Sequence, residues 1–180
     1  MDTPLTLERI INFLLETPLF RDLDPTELSE IVRVMQVQRV RATHPIFREG
    51  DDGDAWYVLF EGAADVVKES PFGAPRHLSS LSPASCFGEM AILDGSRRSA
   101  TVIARTEVTV FRFPRLPFMD LLDEGSLAAY KLVYQMARVL CERQRNLTQR
   151  LSEAMEGESQ ERPTLRSSLG DLIDRYTVSE

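Results

Sequence analysis

Between Val37 and Phe113 the chain is cut into short β-branched and aromatic runs, and no helix-length segment separates them. VQRVRA alternates; PIFREG leads into the turn-rich DDGD; AWYVLFEG and AADVVKES follow; then come PFGAP, RHLSSLS, SATVIAR and TEVTVFRF. Gly, Pro and Asp punctuate the runs. Short strands at such close intervals predict a sandwich or barrel-like β unit. A doubly wound α/β fold is excluded, because its parallel strands need crossover helices between them.

Helical patterns flank this unit. Leu7, Ile10, Ile11, Leu14 and Leu15 recur at helical spacing, with Thr6 as a cap and Thr17-Pro18 as a stop. Asp24 suits an N-cap and Pro25 the first position of a second helix, whose apolar face is Leu28, Ile31, Val32 and Met35. PRLPFMDLL reads as a short helix. Residues 127–155 contain no Gly or Pro and predict one helix of about 43 Å, at about 1.5 Å per residue. EGESQERP is expected to break it, and TLRSSLGDLIDRYTVSE to form a polar tail. The long helix has a heptad reading. Tyr130, Ala137, Gln144 and Leu151 fall at a; Val133, Leu140, Leu147 and Ala154 fall at d. Its length favours this seam as a dimer contact over packing on its own domain alone.

Charge and cysteine narrow the function. With 21 Lys+Arg against 28 Asp+Glu the net charge is −7, a poor match for a domain that wraps nucleic acid. Cys86 and Cys141 are the only cysteines and form no CxxC, so neither a disulfide framework nor a structural zinc site is expected. Neither a signal peptide nor a run of about 18 apolar residues is present, which predicts a cytoplasmic protein outside the membrane. His44 and His77 lack partners at ligand spacing, and Asp51-Asp52-Gly53-Asp54 fails the EF-hand pattern and reads as a tight turn. Metal ligands, a nucleophile with its base, a P-loop and GxSxG are all missing, so no catalytic residue is assigned. Cys86, Trp56 and Tyr57 read as core.

One segment stands apart: FGEMAILDGSRRSATV, residues 87–102. Gly88 permits close backbone approach. A short helix after it aims N–H groups outward at its start, where negative charge is favoured. Arg98 offers a permanently charged, bidentate partner for phosphate. Glu89 can accept hydrogen bonds from a sugar hydroxyl. The competing reading of the same residues is a solvated Arg-Arg pair beside an ordinary turn.

This segment resembles the phosphate-binding cassette of the cyclic nucleotide-binding domain family. PLFRDLDPTELSEIV, EGDDGDAWYVLFEGAADVV and YQMARVLCERQRNL resemble the family's leading helix, its Gly-Asp turn with strand hairpin, and its long C-terminal helix. The resemblance spans roughly residues 14–151. It implies a mainly β fold with flanking helices, a jelly-roll-like β-roll ending in a long helix. Residues 1–125 would form the β-roll with its N-terminal helices, 126–156 the signalling helix, and 157–180 the tail. It further implies that Glu89 meets the ribose 2′-hydroxyl, Arg98 the cyclic phosphate, and Ser99 the phosphate through its hydroxyl or N–H. Gly88, Met90, Ala91 and Ala100 match positions that line the pocket or donate N–H groups, and Arg97 a variable, solvated one.

Two departures follow. Where the catabolite activator branch offers a Thr-Ser pair to adenine, this chain has Arg143 and Gln144. Arginine suits the O6/N7 edge of guanine and glutamine can serve adenine, so the ligand is cAMP or cGMP. About 25 residues follow the long helix, with Pro163 and no basic recognition helix, so a DNA-binding domain is not expected. The implied protein is a non-catalytic sensor without cofactor or metal, a homodimer through the 127–155 helix, signalling to an effector protein that the sequence does not name. The alternative is a dimerisation or docking module whose pocket is vestigial or takes another ligand.

Overall fold

A computed structural model describes residues 5–70 and 73–161. Two helices lead: α1 (Leu7–Glu16) and α2 (Pro25–Arg33). Six strands follow, β1 (Gln36–Val40), β2 (Pro45–Phe47), β3 (Ala55–Glu61), β4 (Ala64–Ser70), β5 (Gly73–Leu81) and β6 (Cys86–Phe87). Then come α3 (Met90–Asp94), β7 (Thr101–Ala104), β8 (Val108–Pro114), α4 (Arg115–Asp123) and α5 (Leu127–Glu161). The strands form two antiparallel sheets of four, ordered β1-β8-β3-β6 and β2-β7-β4-β5. This is the β-roll with flanking helices that the sequence implies.

The leading helices start where local chemistry dictates. The Thr6 side chain accepts from Arg9 N, and Asp24 forms a capping box with Glu27 ahead of Pro25. Thr17 ends α1 in an extended conformation, the one favoured before proline.

β3 and β8 explain the largely apolar runs AWYVLF and VTVFRF, because both faces of these strands are buried. On one face Trp56, Val58, Phe60, Phe111 and Phe113 pack with Leu14, Phe20, Ile31, Phe118, Leu132 and Met136 of the helical segments. Trp56 stacks on Phe113 with centroids 4.0 Å apart, in the core as its strand position predicts. On the other face Ala55, Tyr57, Leu59, Val108 and Val110 meet Val102, Ala104 and Ala64 of the second sheet. Cys86 is buried against the helical core.

The chain divides into two compact units, Met1–Met136 and Ala137–Glu180. In the first, α5 buries Ala128, Ala129, Leu132 and Met136 while Tyr130 and Tyr134 stay exposed. Lys131 pairs with Glu27 at 2.7 Å, and Gln135 donates to Asp22, fastening the start of α5 to the α2 region. In the second, residues 141–153 of α5 are exposed, including Leu147 and Leu151.

One expectation is corrected. EGESQERP, which begins at residue 156, does not break the helix at its start; α5 continues through Glu161. The single glycine in that stretch, Gly157, costs only about 1 kcal/mol in a helix. Glu156, Glu158, Gln160 and Glu161 are good helix formers, and the first proline is Pro163. The tail expected from residue 162 onward lies outside the described residues.

Candidate functional site

The 87–102 segment folds around Arg98. Although arginine is rarely buried without a partner, the Arg98 side chain is only 1% exposed. Its guanidinium donates from Nη1 to Gly88 O at 3.0 Å, and from Nη2 to Ala55 O at 2.7 Å and to Asp54 Oδ1 at 3.1 Å. It also lies over the Phe47 ring, 4.2 Å from the centroid. A guanidinium has five N–H donors. The buried Nε has no partner among the described residues, so a charged donor is left open in the cassette.

The backbone beside Arg98 is held by the turn after β2. Gly50 N donates to Arg98 O and Arg98 N to Asp51 O, each at 2.9 Å. Glu49 N donates to Thr101 Oγ1 at 2.9 Å. The DDGD turn therefore does more than reverse the chain. Gly53 leaves room for α3, since a Cβ there would lie 2.2 Å from that of Ala91. Asp54 bridges Arg98 and Arg112, the latter at 2.6 Å. Burial acts to raise the Asp54 carboxyl, but the hydrogen bond and charge of Arg112, with those of Arg98, outweigh it and hold it below the usual carboxylate range.

Gly88 has φ +76°, and a Cβ there would come within 2.7 Å of Arg98 Nη1. The expected close approach is thus made first by the arginine. Glu89 is buried and precedes α3, where its carbonyl accepts from Ile92 N and Leu93 N at 3.1 Å. Ala91 and Ala100 are buried; Met90 and Ser99 are exposed, with Ser99 Oγ 4.0 Å from Met90 Sδ. Arg97 is exposed, as expected, and its Nη1 donates to Gly50 O at 2.9 Å. Arg143 and Gln144 lie on α5 in the second unit, both exposed. A concavity of about 600 Å³ between α1 and the end of β3, lined by Arg9, Asn12, Phe13 and Phe60, shares no residue with the cassette. The unpaired Arg98 Nε lies in the cassette and not at that concavity.

Sequence reasoning does not assign Glu49, Asp54 or Lys68 to the site. Each makes its contacts there across 19 or more positions, and no local pattern announces such a contact.

Residues 37–124 match the family model described as Cyclic nucleotide-binding domain. It is 37% identical over 110 residues to a cAMP-dependent protein kinase regulatory subunit of Aspergillus niger, covering 61% of this chain and 26% of that protein. It is 32% identical over 126 residues to the Cyclic AMP receptor protein of Thermus thermophilus, covering 70% and 58%. The regulatory domain of Toxoplasma gondii PKA, crystallised with cAMP, superposes with a TM-score of 0.59 at 28% identity, covering 66% of this chain and 45% of that one. The chain thus spans about a quarter of the kinase subunit's length. Among the described residues no helix is long and apolar enough to cross a membrane.

Proposed function

We propose that this domain binds a cyclic mononucleotide, cAMP or cGMP, as a non-catalytic sensor. The observation that carries the reading is the buried Arg98 with its unpartnered Nε. A cyclic phosphate is the fitting acceptor for that charge, and the first-turn N–H groups of α3 add to it. Glu89 would take the ribose hydroxyl. Gly88, Met90, Ala91, Ser99 and Ala100 would frame the phosphate, and Arg143 and Gln144 would meet the base.

The output is assigned to α5. Its buried residues Ala128, Ala129, Leu132 and Met136 lie off the a and d positions; of the seam, Val133 packs on the domain's own core, which leaves the exposed Tyr130, Ala137, Gln144, Leu147 and Leu151 for a second copy or an effector protein. Ligand moves the equilibrium only through contacts that differ between two positions of this helix. Thermal melting tests the reading. A ligand at 100 times its Kd stabilises by about 2.7 kcal/mol, roughly 5–10 °C for a chain of this size. Cyclic nucleotide at 100 times the wild-type Kd should raise the melting temperature of the wild type, and that of Arg98→Ala by at most about a third as much. No rise in the wild type refutes the proposal.

A further inference from the structure

We propose that Lys68, on β4, is a positioning residue that aims the Ala100 N–H at the ligand phosphate; the inference rests on the cyclic nucleotide reading above. Lys68 Nζ donates to the Ser99 carbonyl at 2.7 Å. The same ammonium donates to Glu49 Oε1 at 2.7 Å, and Glu49 Oε2 accepts from Glu69 N at 3.1 Å. Glu49 is fixed in turn through its own N–H, which donates to Thr101 Oγ1 at 2.9 Å. The lysine is therefore tied to Ser99 directly and to Thr101 through Glu49.

A peptide unit is planar and trans, so its C=O and N–H point in opposite directions. The chain has no cis peptide among the described residues. Holding the Ser99 carbonyl toward Lys68 turns the Ala100 N–H the other way. Ala100 is buried, and its N–H makes none of the turn and loop hydrogen bonds among the described residues. Buried N–H groups need acceptors, and one two residues from Arg98, whose Nε is unpaired, fits an anion that takes both. Lys68 itself is 46% exposed, so its ion pair with Glu49 adds little stability; its effect is directional.

The test is calorimetry with cAMP and with the two diastereomers of its cyclic phosphorothioate, on wild type, Lys68→Met and Lys68→Arg. Sulfur accepts hydrogen bonds poorly, so an N–H aimed at one exocyclic oxygen makes the wild type prefer one diastereomer. Lys68→Met should bind cAMP about fivefold more weakly, the worth of one net hydrogen bond, and should lose most of that preference. Lys68→Arg, which can still reach the carbonyl, should restore both. Melting temperatures of the variants should stay within a few degrees of wild type. Unchanged affinity and preference in Lys68→Met overturns the inference while leaving the ligand reading intact. Equal weakening for both diastereomers also overturns it, because it makes Lys68 a support of the fold only. A wild type that binds none of the three probes overturns the ligand reading, and this inference with it.

Discussion

Gly88→Ala isolates what holds Arg98 in place. Gly88 and Gly125 both have φ near +80°, at 76° and 80°. Alanine at either costs about 1–2 kcal/mol in left-handed backbone, partly offset by lost unfolded-state freedom. That part cancels between the two. A Cβ at Gly125 meets nothing within 4 Å, whereas at Gly88 it lies 2.7 Å from Arg98 Nη1, with Phe47 and Tyr57 at 3.4 Å. The arginine cannot step aside freely, because Asp54 and the Ala55 carbonyl hold its other nitrogen. Overpacking of this kind costs about 1–3 kcal/mol. Thermal melting of the two variants should therefore differ by roughly 3–10 °C, Gly88→Ala being the lower. Cyclic nucleotide affinity should fall at least about tenfold in Gly88→Ala and hold in Gly125→Ala. If the two melt together and bind alike, Gly88 does not shape the arginine's seat.

Two further outcomes follow from the same contacts. The Asp54 carboxyl is depressed in the folded state, so its contribution to stability is present above about pH 4 and is lost as pH falls through its folded value. Asp54→Asn should flatten the acid limb of an unfolding-against-pH curve, and an unchanged limb would remove the carboxylate from that role. Leu147→Glu with Leu151→Glu puts charge on two exposed seam positions of α5 and should leave a monomer by light scattering. A persistent dimer would place the interface elsewhere.

What is legible in the sequence is local. Thr6, Asp24 and Pro25 announce helix starts, and the β3 and β8 runs announce strands. Within the site, residues 88–100 stand out because their chemistry lies in one contiguous stretch. Asp54, Glu49 and Lys68 do not, since turn and strand residues gain partners distant in sequence only when the strands assemble. The far end of α5 is hard to place because Gly157 resembles a stop, yet one glycine lacks the weight of a proline.

Arg98 as the seat of a cyclic phosphate stands or falls on calorimetric titration of the wild type and Arg98→Ala with cAMP and cGMP. The wild type should show saturable one-to-one binding of at least one nucleotide. Arg98→Ala should bind about 30-fold to several thousand-fold more weakly, the range for losing a buried charged partner. Equal binding by both proteins, or none by the wild type, would contradict that role for Arg98.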